Sequence, residues 1–214
     1  MKVSILVPTY NNLNYLRLFI KSIQQNSNYN HQIILHVNDG SDGTLEYVKE
    51  NKIEYTYSDS NIGLCSSLNK ASKLVNTDYI LYAHDDMFFC ENWDSHLENE
   101  IKKYPNKLFY LTGTNVSANN GLINFDCGST PDTFNKAKFN EFCKNDLSND
   151  LQGSHWAPHL VHKDLWNSIG GFSEEFNPGD GSDPDFCMKL WINNVRIFKS
   201  IDKFKVFHFG SRTT

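Results

Sequence analysis

The sequence predicts an α/β protein with a mostly parallel central sheet and helices on both faces. Two observations carry that expectation. Short β-branched runs alternate with segments whose apolar residues recur at helical spacing. Each early strand run also ends in a cluster of polar turn residues. In such an alternation, crossover helices join parallel strands, and ligands bind beyond the carboxyl ends of the strands.

In order, KVSILVP (2–8) is a strand closed by Pro8, and NLNYLRLFIKSIQQN (12–26) is a helix with Leu13, Leu16, Phe19, Ile20 and Ile23 on one stripe. QIILHV (32–37) is a strand ending at NDGSDGT, with TLEYVKEN (44–51) the next helix and Asp42 or Ser41 its expected cap. KIEYTYS (52–58) runs into DSNIGL, followed by the helix CSSLNKASKLV (65–75). YILYA (79–83) is a strand that ends at His84-Asp85-Asp86. The second half is less regular. Strands are expected at LFYLTG, GLINFD, HLVHK, VRIFKS and KVFHF, and a helix at PDFCMKLWINN, with Pro184 its first residue and Asp183 its cap. GSTPDTFNKAKFNEFCKNDLSNDLQG (128–153) has little periodicity and reads as a mobile surface segment or lid.

At 214 residues and 39% hydrophobic, the chain is long enough for one sizeable core, so one domain is expected. The balance of 20 Lys+Arg against 25 Asp+Glu, without basic residues interleaved with aromatics, disfavours nucleic acid as a partner. The five cysteines are scattered and form no C-x-x-C pair, which suggests a reducing compartment and a cytoplasmic location. No apolar run approaches the roughly 20 residues of a membrane span.

The clusters PTYNN, NDGSDGT, SNIG and HDD follow four successive strands and are expected to share one crevice. Asp39, at a strand end, suits the N–H of a nucleobase edge. The adjacent carboxylates Asp85 and Asp86 lie between two apolar runs, a costly arrangement unless a cation or hydrogen-bonding ligand is supplied. One carboxylate plus diphosphate oxygens is a usual way to hold a hard divalent ion. His208, in an alternating strand, reads equally as packed core or as a ligand, and as a ligand it would favour Mn²⁺ over Mg²⁺. Asp183, at a helix entrance, reads as a cap and as a general base, which are compatible roles; Asp180 and Asp185 are competing bases. Trp156 reads as core or as a stacking platform for a sugar acceptor. No P-loop, H-E-x-x-H or serine nucleophile motif is present.

In sequence order, VSILVPTYNN, VNDGSDGT, SNIGLCSSLNKA, YILYAHDDM, GGFSEEF, GSDPDF and VFHFGS resemble the family 2 glycosyltransferases of the GT-A fold, over almost the whole chain. The resemblance implies a Rossmann-like nucleotide-sugar half (about 1–90) and an acceptor and catalytic half (about 91–214). It implies that Pro8, Thr9, Tyr10 and Asn12 line the nucleotide pocket, that Asp39 holds uracil, and that Asn61, Gly63 and Asn69 border the donor. His84-Asp85-Asp86 stands at the D-x-D motif, with Asp85 toward the ribose, Asp86 on the metal and His208 the late metal-binding histidine. Asp183 matches the base; Trp156 and Asp180, which the resemblance does not assign, are the acceptor-side candidates. Two positions depart from the family pattern: His84 replaces the first acid of D-x-D, and Ser182 replaces one of an acidic pair. A Q-x-x-R-W motif is missing after Asp183, which implies transfer of a single sugar.

The expected activity is therefore metal-dependent, inverting transfer from a UDP-sugar to a glycan or other hydroxyl acceptor. The alternative is a nucleotide-sugar or glycan binding module that has lost catalysis. Because the chain ends six residues after His208, it is also expected to be one domain of a longer polypeptide.

Overall fold

The computed structural model describes residues 1–119, 121–146 and 150–210. Its first half follows the expected alternation: β1 (Ser4–Tyr10), α1 (Leu13–Asn26), β2 (Gln32–Asn38), α2 (Thr44–Glu50), β3 (Glu54–Ser58), α3 (Leu64–Ser72) and β4 (Tyr79–Tyr82). Then come β5 (Met87–Phe89), α4 (Trp93–Ile101), β6 (Phe109–Ser117), β7 (Ile123–Asn124), α5 (Lys136–Cys143), β8 (Leu151–Gln152), β9 (His159–His162), α6 (Lys163–Ile169), a 3-10 turn (Glu174–Phe176), α7 (Ser182–Ile192) and β10 (Ile197–His208). One sheet runs in the order β3-β2-β1-β4-β9-β6-β10-β5, with β7 on β6 and β8 on β10. The β1–β2, β1–β4, β2–β3 and β6–β10 pairs are parallel, whereas β9 is antiparallel to both β4 and β6.

Burial explains these elements. β1 and β2 are buried along most of their length, as strands covered on both faces must be. α1 turns Leu16, Phe19, Ile20 and Ile23 inward. Asp42 joins two helix starts: its Oδ1 accepts from Thr44 N (3.0 Å) and its Oδ2 from Leu13 N (2.9 Å). The residue immediately before α2 is Gly43, in a left-handed conformation.

The second half departs from expectation in several places. VRIFKS and KVFHF belong to one strand, β10, whose register against β6 shifts between Ile201 and Lys205. There the Lys205 ammonium is buried and donates to the Asp202 carbonyl at 2.8 Å, so a polar interruption that reads as a loop is an internal irregularity of the strand. GLINFD supplies only the two residues of β7. The segment expected to be a mobile surface segment or lid holds α5, anchored by the wholly buried Phe139, whose ring lies 5.9 Å from Phe88 and 5.8 Å from Phe207. One aromatic anchor creates no periodicity to read. Residues 147–149 of that segment lie outside the described residues.

Helices α4 and α6 were not expected. α4 buries Asp94 and Glu100 beside Trp93 and Leu97, because His31 and Lys199 partner the two acids, and this masks the helical stripe. α7 begins at Ser182 rather than at Pro184, so Asp183 lies in its first turn and Gly181 precedes it.

Candidate active site

The carboxyl ends of β1 and β2 and the start of α3 enclose a cleft of about 190 Å³, lined by Pro8, Thr9, Tyr10, Asn38, Asn61, Gly63, Leu64 and Pro178. Five residues expected at a nucleotide pocket thus meet: Pro8, Thr9, Tyr10, Asn61 and Gly63. Asn38 had not been singled out. Its amide donates to Ser67 Oγ (3.1 Å) and its carbonyl accepts from Ile62 N (3.0 Å), fixing the SNIG loop to the end of β2. Asn177 was also missed. Its side-chain oxygen accepts from Cys65 N (3.0 Å) and Ser66 N (3.4 Å), capping α3 from the far half of the chain.

The other expected donor residues take varied places. Asp39, with φ +59, accepts from Asn11 Nδ2 at 2.9 Å, and that bond holds its carboxyl below the ordinary carboxylate range. Asn12 donates to Asp85 Oδ1 at 3.0 Å, tying the loop after β1 to the loop after β4. Asn69 braces α3 against the GGFSEEF loop: its Nδ2 donates to Phe172 O (2.9 Å) and Glu174 Oε1 (3.1 Å), and its Oδ1 accepts from Phe172 N (3.0 Å).

At the exit of β4, Asp85 and Asp86 are 2% and 3% exposed. Burial, with the neighbouring Asp86 charge, pushes Asp85 up to about 7. Burial also raises Asp86, but the adjacent His208 and His84 imidazoles outweigh it and leave that carboxyl below its usual value. His208 Nε2 approaches Asp86 Oδ1 to 3.2 Å without hydrogen-bond geometry, and it and Asp86 Oδ2 both lack a hydrogen-bond partner among the described residues. Polar atoms buried in this way are costly unless a ligand completes them. Ligand atoms of His84, Asp86 and His208 lie within 4.8 Å of one another, a set that suits a divalent ion.

The Asp183 carboxyl sits in the first turn of α7, and its Oδ1 has no hydrogen-bond partner among the described residues. A helix entrance alone would keep it ionised. Instead burial prevails and pushes it up to about 7, with only His155 pulling it back. Tyr82 links the parts: burial, then the charges of Asp183, Asp86 and Asp85 among others, push its hydroxyl well above the usual tyrosine value. The half-buried Trp156 donates to Gly113 O at 3.0 Å and, with His208, lines a cavity of about 600 Å³. Asp180 is exposed in the turn before α7.

No helix among the described residues is long and apolar enough to cross a membrane, and all five cysteines are free. Comparison with known proteins gives a consistent picture. An uncharacterized glycosyltransferase of Rickettsia typhi, RT0329, is 37% identical over 109 residues, covering 49% of this chain and 33% of that protein. One from Rickettsia felis is 36% identical over 111 residues, covering 49% of this chain and 18% of its relative. The chain thus spans a third or less of the length of these relatives. Among solved structures, Staphylococcus aureus TarS 1–349 in complex with UDP superposes with a TM-score of 0.71 at 16% identity, covering 97% of this chain and 60% of that one. The complex of the same protein with UDP-GlcNAc gives 0.68 at 16% identity, covering 100% and 62%. At that identity the likeness shows the GT-A fold. The profile described as "Glycosyl transferase family 2" matches residues 4–202, nearly the whole chain, which therefore belongs to family 2 of the glycosyltransferases.

Proposed function

We infer that the chain transfers a single sugar, with inversion, from a UDP-sugar to a hydroxyl of a glycan or other acceptor. The observation that carries this reading is the pairing of two unsatisfied sites at one end of the sheet. One is the Asp86 and His208 pair, the other the buried Asp183 carboxyl whose pKa lies near neutrality. Family membership and the UDP and UDP-GlcNAc complexes of the structurally similar TarS support a nucleotide-sugar donor.

In this reading Asp39 accepts from the uracil edge, Pro8, Thr9, Tyr10, Asn61 and Gly63 wall the nucleotide cleft, and Asp85, oriented by Asn12, meets the ribose. Asn69 contributes by holding α3 in place. Asp183 takes the proton of the acceptor hydroxyl as that oxygen bonds to the anomeric carbon and the bond to the diphosphate breaks on the opposite face. A carboxyl near pKa 7 is better matched to that proton than one near 4. Asp86 and His208 would hold a divalent ion, Mn²⁺ in preference to Mg²⁺ because one ligand is an imidazole. When bound, such an ion neutralises charge on the departing diphosphate. Trp156 offers its ring to the acceptor beside the larger cavity, and Asp180, exposed in the turn before α7, is assigned to the acceptor side as well.

The test is a panel of nucleotide sugars incubated with the chain and Mn²⁺, with UDP release as the readout, with and without EDTA. Slow, metal-dependent release from one donor supports the assignment. Tight donor binding without any release, even with acceptor glycans added, would favour a binding module that has lost catalysis.

A further inference from the structure

We propose that His84 is a third protein ligand of the divalent ion, completing with Asp86 and His208 a two-histidine, one-carboxylate site that takes up the ion before the nucleotide arrives. The proposal rests on the metal dependence inferred above and extends it.

Three observations carry it. The ligand atoms of His84, Asp86 and His208 lie within 4.8 Å of one another, close enough for small side-chain adjustments to bring them onto one ion. Among the described residues Asp86, 3% exposed, keeps Oδ2 without a hydrogen-bond partner, and His208 Nε2, 3.2 Å from Asp86 Oδ1, makes no hydrogen bond either, so both atoms have capacity left for an ion. The cluster is also rigidly built. His208 pairs with Met87, next to Asp86, in the β10–β5 register, and Phe209 N donates to Asp86 O at 3.1 Å. The Tyr82 hydroxyl, 2.7 Å from His84 Nε2, anchors the third imidazole, and that ring stands edge-on to His208 at 5.2 Å. An outer partner that orients a histidine is the usual companion of a metal-bound imidazole.

The chemistry follows from the donor set. A single carboxylate and a histidine hold a divalent ion weakly until diphosphate oxygens join. Two imidazoles and a carboxylate together can hold it unaided, leaving the remaining positions open for oxygen ligands. Nitrogen donors also move the preference from Mg²⁺ toward Mn²⁺ and later transition ions. The histidine at the first position of this acidic motif thereby allows the ion to bind first and the nucleotide second.

The experiment is a titration of Mn²⁺ into the full chain, read as loss of the free-ion electron paramagnetic resonance signal, without nucleotide and again with UDP. It compares wild type, His84→Ala, His84→Gln and His208→Ala, with far-ultraviolet circular dichroism confirming that each is folded. His84→Gln retains a hydrogen-bonding group for Tyr82 and guards against an alanine variant that fails to fold. Wild type is expected to bind Mn²⁺ without UDP, and both His84 variants and His208→Ala to lose at least the roughly 10- to 100-fold in affinity that loss of an outer partner of a ligand already causes. Equal binding by wild type and the His84 variants would overturn the His84 assignment and leave metal dependence intact. Binding by wild type only when UDP is present would overturn the preformed site, again leaving metal dependence standing. Absence of binding even with UDP would remove both.

Discussion

Asn177 caps the helix that begins at Leu64: its side-chain oxygen accepts from Cys65 N at 3.0 Å across 112 residues of sequence. Gly63, just before that helix, has φ +83, and a Cβ there would overlap the same Asn177 side chain. The two residues therefore act as a unit that holds the start of α3 against the cleft at the ends of β1 and β2. Asn177→Ala should cost about 1–2 kcal/mol of stability, as loss of a helix cap does, and should weaken donor binding while leaving the pH profile unchanged. Gly63→Ala should cost at least as much, from both the clash and the left-handed backbone. Thermal melts of the singles and the double should be non-additive, because removing the Asn177 side chain relieves part of the Gly63→Ala clash. Additive losses would show that the two do not act together.

Asn177 also marks the limit of what the sequence reveals. The strand-end clusters are legible because Asn, Asp and Gly placed after short apolar runs leave few other readings, and four such clusters in succession specify both the sheet and the face that carries the candidate site. Asp39, Asp86, Asp183 and His208 could be named on that basis together with the family resemblance. Asn177 could not, because a cap supplied from 112 residues away leaves no local pattern. Tyr82 and His84 illustrate a second limit: an anchoring hydroxyl inside an apolar strand looks like core. The buried acids of α4 illustrate a third, since partnered charges on an inward face erase the hydrophobic period that identifies a helix.

Asp39 is held ready by Asn11, whose amide donates to its Oδ2 at 2.9 Å. If the carboxylate receives the uracil N–H, Asp39→Ala removes a hydrogen bond to a charged group, worth about 1.5–3 kcal/mol. The donor KM should rise by roughly 10- to 100-fold with kcat changed far less. Asn11→Ala should produce a smaller effect of the same kind, because it loosens the carboxylate without removing it. A fall in kcat at unchanged donor KM would place Asp39 outside donor recognition.

Trp156 separates donor chemistry from acceptor binding. Its indole N–H is held by Gly113 O while the ring borders the cavity shared with His208. Trp156→Phe should keep an aromatic face and most activity. Trp156→Leu should raise the acceptor KM about tenfold, the scale of a lost aromatic contact, with donor hydrolysis in the absence of acceptor unchanged. Parallel loss of hydrolysis and transfer would assign the ring to packing alone.

Asp183 gives the sharpest pH dependence. With its carboxyl pushed up to about 7 by burial, the base form is scarce in acid, so kcat/KM should rise about tenfold per pH unit up to about 7 and level off above it. Asp183→Asn should reduce turnover by about 10²–10⁴ while retaining donor binding. The same shift governs stability. The folded state holds this proton more tightly than the unfolded chain, whose carboxyl titrates near the ordinary 3.8, so the contribution of Asp183 to stability is present below pH 4 and is lost as pH rises to about 7. Asp183→Asn removes that loss. In metal-free denaturant titrations the variant should match wild type near pH 4 and exceed it near pH 8, by on the order of 1–3 kcal/mol. Asp85 titrates in the same window in both proteins and cancels from the comparison. A variant no more stable than wild type at pH 8 would mean that Asp183 is solvated and ionised in the folded chain, and the activity profile should then show no inflection near 7.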